Sequence, residues 1–189
     1  MPKLLIVIAS TRPGRVGLPV GQWVRARAEA HGGFDVAVAD LAELNLPLLD
    51  ERAHPRLRQY TREHTHRWSA MVDAADAVVF VMPEYNFSIT APLKNAIDYL
   101  YHEWLYKPLG LVSYGGASGG VRAAHMARQI APALKMMPLP EGVAIAGVGR
   151  RVVDGAFQSD ETLDGSASRM FDELVRWESA LRTLRHLPG

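Results

Sequence analysis

The chain of 189 residues contains no cysteine. That absence excludes disulfide bonds, thiolate catalysis and cysteine-ligated metal, and it accords with a reducing, cytoplasmic setting. An excess of one charge is also missing. The 21 Lys and Arg nearly cancel the 20 Asp and Glu, leaving a formal net charge of +1, too weak a field to recruit nucleic acid or an anionic membrane surface. No apolar run approaches the roughly 18 to 20 residues of a membrane span. The opening MPKLLIVIAS carries one lysine and an apolar stretch too short for a secretory signal, so it reads as a first strand. Repeats, low-complexity tracts and an evident linker are lacking too. Residues 1–189 are therefore expected to form a single domain with one core.

What is present is an alternation of short apolar runs with helical patterns. KLLIVIAS (3–10), FDVAVADL (34–41), AVVFVMPE (77–84), PLGLVSYGG (108–116) and EGVAIAGV (141–148) read as five strands. Helical spacing is found around 20–31, from about Arg56 to Ala75, in APLKNAIDYL (91–100), in 119–134 and in 168–184. Strands apolar on both faces and separated by helices predict an α/β fold with a parallel sheet covered on both sides. Right-handed crossovers make this a doubly wound open sheet. Ligands of such sheets lie beyond the carboxyl ends of the strands, where strand order reverses. The search narrows to the loops after the first, third and fourth strands.

The first loop reads ASTRPGRVGLPVG (9–21). Hydroxyls at Ser10 and Thr11, charge at Arg12 and Arg15, and the freedom of Gly14 and Gly17 before a helix N-terminus have the composition of a phosphate cradle. It matches neither the Walker motif nor GxGxxG, and a basic turn that binds nothing is the alternative. The second, PEYNFS (83–88), offers backbone amides, the Asn86 amide and the rings of Tyr85 and Phe87. Ser88 or Thr90 can cap the helix that follows; simple turn and packing roles are the competing reading. The third, SYGGASGG (113–120), holds four glycines, which allow close backbone approach to a planar ligand. One phosphate beside aromatics and backbone donors suits a flavin mononucleotide.

These three segments, S-T-R-P-G-R, P-E-Y-N-F-S-I-T-A-P-L-K-N-A-I-D-Y and S-Y-G-G-A-S-G-G, resemble the NADPH-dependent FMN reductase family over about residues 3 to 148. The resemblance implies a flavodoxin-like five-stranded sheet in the order 2-1-3-4-5, bound FMN, and NADPH or NADH as hydride donor. It further implies a small acceptor such as a quinone, a flavin or an azo compound, and a homodimer or homotetramer. Carried over by position, Ser10, Arg12 and Gly17 would hold the phosphate, with Arg15 and Val16 nearby. Pro83, Glu84, Tyr85, Asn86 and Phe87 would border the flavin ring, as would Ser113, Tyr114, Gly115 and Gly116. The flavin carries the chemistry, so no catalytic acid or base is expected. Two departures stand out: Val16, Gly17 and Leu18 replace the polar residues frequent in the first loop, and Phe87 stands where glycine is frequent.

Rival readings are few. Gly116, Ser118 and Gly120 spell G-x-S-x-G, the context of a hydrolase nucleophile, with Asp154 or Asp164 and then His186 in the expected chain order. A flavodoxin-type electron carrier would keep FMN, but its usual strongly acidic surface is missing. Metal binding is not expected: His64 and His66 would point about 200° apart on a helix. The cluster YLYHEWLY (99–106) reads either as a subunit interface lining a partner's pocket or as satellite core beneath the fourth strand.

Overall fold

The structure of the chain, a computed structural model, describes residues 1–185. Five parallel strands, β1 (Lys3–Ile8), β2 (Asp35–Asp40), β3 (Ala77–Pro83), β4 (Pro108–Tyr114) and β5 (Met137–Ile145), pair in the order β2-β1-β3-β4-β5. This is the flavodoxin-like doubly wound sheet. The chain steps outward from β1 to β2, then crosses back to β3, so the order reverses between β1 and β3.

The sheet is buried on both faces because its central strands carry apolar side chains at nearly every position, Lys3, Gly110 and Ser113 excepted. Leu5, Val7, Val78, Phe80, Met82, Leu109 and Leu111 point into one core. They meet α2 (Leu41–Leu44), α3 (Glu63–Asp73), α4 (Ala91–Asp98) and α5 (Val121–Ile130). Leu4, Ile6, Val79, Val81 and Val112 point the other way, toward α1 (Gly17–His31) and α6 (Glu161–Arg185). Alternation along each strand, period two, sorts one apolar run into two cores.

Several boundaries differ from the sequence expectation. The helix expected from Arg56 to Ala75 begins only at Glu63. Pro55–Leu57 make a single 3-10 turn, which Arg58 ends with a left-handed φ of 51°. The amides of Thr61 and Arg62 then bond the Glu51 carboxylate at 3.0 and 2.9 Å instead of a helical carbonyl. The helix expected at 168–184 starts seven residues earlier, where Asp160 accepts from the Leu163 amide at 2.9 Å. Two short strands went unread: β6 (Val152–Val153) and β7 (Ala156–Phe157) form a hairpin turning at Asp154 and Gly155, both left-handed. His64, partly exposed, sits 2.9 Å from Asp50 and edge-on to Tyr99.

Half of the YLYHEWLY segment is core: Tyr99, Leu100, Glu103 and Trp104 are buried, and the other four residues reach the surface. Tyr99 and Trp104 are fully buried, Trp104 packing edge-on against Trp68 and Phe80 at 5.8 and 6.0 Å. Glu103, also buried, accepts bonds from Ser69, Tyr60 and Arg58. These bonds fix the irregular segment around residues 58–60 against the body of the fold.

Lys107 enters β4 with its side chain buried, donating to the carbonyls of Val72 and Asp73 at the C-terminal end of α3. Burial pushes its ammonium down to about 8, with Asp73 opposing and Arg185 adding to the shift. The folded value lies below the unfolded one, so the unfolded state binds more protons between the two. Stability contributed by this group therefore rises with pH from about 8 toward the ordinary lysine range. Denaturant titrations at pH 7.5 and 10 should show the parent gaining up to about 3 kcal/mol relative to Lys107→Met across that interval. Parallel pH dependences would refute the buried charge.

Candidate functional site

The loops after β1, β3 and β4 are stitched together by contacts that span the chain. Thr90 caps α4, accepting from the Leu93 amide at 3.3 Å, and donates its hydroxyl to the Ala9 carbonyl at 3.1 Å. The α4 start is thereby fastened to the end of β1. The Glu84 amide donates to the Tyr114 carbonyl at 3.0 Å. The Glu84 carboxylate reaches further, accepting from Ser118 Oγ (3.2 Å), the Arg122 amide (3.1 Å) and the Arg122 guanidinium (2.7 Å). It caps α5 from another loop. Desolvation works against its charge, but the Arg122 guanidinium, the Arg122 amide and Ser118 outweigh it and hold the carboxyl below the usual range.

At the first loop the chain has made room by omission. A Cβ on Gly17 would lie 2.1 Å from Ser10 Oγ and 2.2 Å from Tyr114 Oη. Both hydroxyls are buried without a hydrogen-bond partner, which a fold avoids unless a ligand or water completes them. α1 begins at this point with Val16 as a capping residue that makes no side-chain bond, and with no acid in its first turn. Its leading N–H groups stay open to an anion. The exposed Arg12 has no ionic partner among the described residues.

Arg15 is different. It forms a two-pronged ion pair with Asp40 at 2.5 Å on each prong and donates to the Ser10 carbonyl at 2.6 Å. Its charge is spent on locking the loop to the end of β2. Tyr114, expected to border a flavin ring, is buried with its hydroxyl beside Gly17 and Ser10. Its side chain passes under α1 to Ser10, and burial pushes its phenol up to about 12.

The second loop closes in a two-residue turn. Tyr85 and Ser88 exchange backbone bonds of 3.0 Å each way, with Asn86 (φ 50°) and Phe87 (φ 67°) both left-handed. This explains why glycine is expected at the Phe87 position. Pro83 is buried at the end of β3, whereas Tyr85 and Phe87 are exposed, and the Asn86 amide makes no bond among the described residues.

In the third loop Ser113 Oγ is committed to the Gly119 carbonyl, and the Gly115 amide to Ile145. The free donors are therefore the N–H groups of Gly116, Ala117 and Ser118, with open space above Gly116. Gly120 must be glycine, since φ is +80° and a Cβ would sit 2.7 Å from the Tyr114 nitrogen.

Sequence reasoning missed Arg122 and the Thr90 tie. Arg122 lies 38 residues from Glu84, with no local pattern linking them. The hydrolase constellation does not assemble among the described residues. Ser118 donates to Glu84, Asp164 is engaged by Trp23 and Arg27, Asp154 occupies the hairpin turn, and His186 lies outside them. A 410 Å³ cleft bounded by Thr11, Asn45, Ala91 and Asn95 shares only Thr11 with the loops described.

Residues 2–150 match the NADPH-dependent FMN reductase family. An NAD(P)H-dependent FMN reductase of Schizosaccharomyces pombe is 36% identical over 181 residues, covering 91% of this chain and 88% of that protein. Another, from Nectria sp, is 33% identical over 190 residues, covering 97% and 94%. Among solved structures, the flavoenzyme NAD(P)H:(acceptor) oxidoreductase FerB from Paracoccus denitrificans superposes with a TM-score of 0.76 at 20% identity, over 95% of this chain and 98% of that one. The sequence segments, the strand order and these matches agree, and the chain belongs to the NADPH-dependent FMN reductase family.

Proposed function

We propose that the three joined loops bind FMN, with the phosphate at the β1–α1 turn and the flavin ring between the β3–α4 and β4–α5 loops, and that the site serves electron transfer from NAD(P)H to a small flat acceptor. The observation that carries this reading is the pair of buried, unpartnered hydroxyls of Ser10 and Tyr114 facing the space left by Gly17, at the uncapped start of α1. Neutral donors, open helix amides and a free guanidinium at Arg12 fit a phosphate. The unpaired amides of Gly116, Ala117 and Ser118 fit the polar edge of a planar ring.

FMN bound there would supply the two-electron chemistry, accepting hydride from NAD(P)H and yielding it, with a proton, to the acceptor. The protein's part is position and electrostatics. The unpaired amides of Gly116, Ala117 and Ser118 would hold the edge of the ring where negative charge develops, and would need no reorganisation to stabilise it. Glu84 is held ionised by Arg122, so it aligns two loops and does not shuttle a proton. The Tyr114 phenol is too weak an acid at neutral pH. Solvent is left as the proton source. Assembly as a homodimer in the cytoplasm, acting on quinone, azo or flavin acceptors, belongs to the same proposal and rests on the family resemblance. So does operation as one domain.

The deciding measurement is the visible spectrum of the purified protein before and after anaerobic NADPH. A flavin spectrum that bleaches is expected; protein that neither takes up FMN nor oxidises NADPH in its presence would end the reading. Tyr114→Phe removes an unsatisfied buried hydroxyl and should leave the apoprotein as stable or about 1 kcal/mol more so, while weakening FMN roughly tenfold. Thermal melts with and without FMN separate the two effects, and unchanged affinity would remove Tyr114 from the phosphate site. Because Arg122 and Ser118 hold the Glu84 carboxyl below the usual carboxylate range, no limb of the turnover profile between pH 6 and 9 should belong to Glu84. A limb in that interval that disappears in Glu84→Gln would contradict the assignment of Glu84.

A further inference from the structure

Phe87 is held where its own chemistry argues against it. Its φ of 67° lies in the left-handed region that a glycine occupies freely and a phenylalanine does not. Packing offers no compensation, since the residue is 67% exposed. The ring is nonetheless not loose. The Arg122 guanidinium lies 4.3 Å from its centroid and is itself fixed by a 2.7 Å bond to Glu84. The Arg122 backbone amide adds a second anchor to the same carboxylate. One face of Phe87 is therefore backed by a cation on α5, and no other aromatic ring stacks on it among the described residues. The result is a flat apolar plate that bridges the β3–α4 and β4–α5 loops at the surface.

We infer that Phe87, backed by Arg122, is the outer wall of the acceptor slot and selects acceptors with an extended flat ring system over single-ring ones. The inference rests on the proposed placement of the flavin between these same loops. Stacking free energy grows with the overlap of two rings, so a fused bicyclic acceptor gains more from such a wall than a monocycle does. Arg122 and Glu84 cancel each other's charge, so the wall discriminates by shape and polarisability, not by net charge. Arg122 keeps the plate in one orientation, which spares the entropy of ordering it when the acceptor arrives.

The test uses the FMN-loaded protein as parent, Phe87→Gly and Phe87→Trp, with 1,4-naphthoquinone and 1,4-benzoquinone as probes. Binding to the oxidised protein is titrated without reductant through the flavin spectrum, and KM and kcat are then measured with NADPH. Phe87→Gly should raise both the dissociation constant and KM for naphthoquinone about tenfold, with kcat changing less and benzoquinone shifting less than about twofold. Phe87→Trp should restore the discrimination. Glycine suits the turn, so Phe87→Gly should melt no lower than the parent as apoprotein, and a misfolded variant would be recognised by that melt. Equal shifts for the two quinones, or none, would overturn the inference. So would lost discrimination accompanied by a changed sedimentation coefficient, which would place Phe87 against a second copy of the chain. A parent that takes up no FMN would instead overturn the placement on which the inference rests.

Discussion

The Glu84 carboxylate spans two loops that leave neighbouring strands, and the geometry of the whole site passes through it. Its backbone amide holds the Tyr114 carbonyl, while its side chain caps α5 through Arg122 and Ser118. A carboxylate at the start of a helix is favoured by the exposed amides and the dipole. Supplied by another loop, that cap becomes a tertiary restraint: α5 cannot move without moving the β3–α4 turn. Arg122, held on the same oxygen pair, then steadies Phe87.

A second restraint works by subtraction. Gly17 lets α1 come down onto Ser10 and Tyr114, bringing two hydroxyls from strands on either side of β3 to one helix start. Arg15 stands beside the expected phosphate position in sequence, yet its bidentate pair with Asp40 makes it a strut. The division is physically sensible: a buried arginine needs a carboxylate to offset its desolvation, whereas an anion site needs donors that are still free.

The sheet was legible because strand and helix periodicities are written residue by residue. KLLIVI and AVVFVM can be little other than buried strands, and the Thr90 cap with Pro92 after it marks α4. Ends were read less well. The delayed start of α3 depends on Glu51 bonding Thr61 and Arg62 from ten residues upstream, and local propensity does not register such a competitor. The Asp154–Gly155 hairpin carried a recognisable turn signal, but its strands are two residues each, too short for alternation to show.

For the proposed site, residue types alone point to the three loops and suggest a ligand. The sequence by itself determined the parallel sheet, the switch point between β1 and β3, and the stretches rich in free donors, because hydrophobic period and turn chemistry act over a few residues. Which donors are actually free was decided only in the tertiary structure. Gly115 and Ser113 are consumed by backbone partners, Tyr114 turns beneath α1, Arg15 is neutralised by Asp40, and Arg122 arrives 38 residues from Glu84 to brace Phe87. Hydrogen bonds and ion pairs saturate, and what remains available to a ligand depends on partners that folding alone brings within reach.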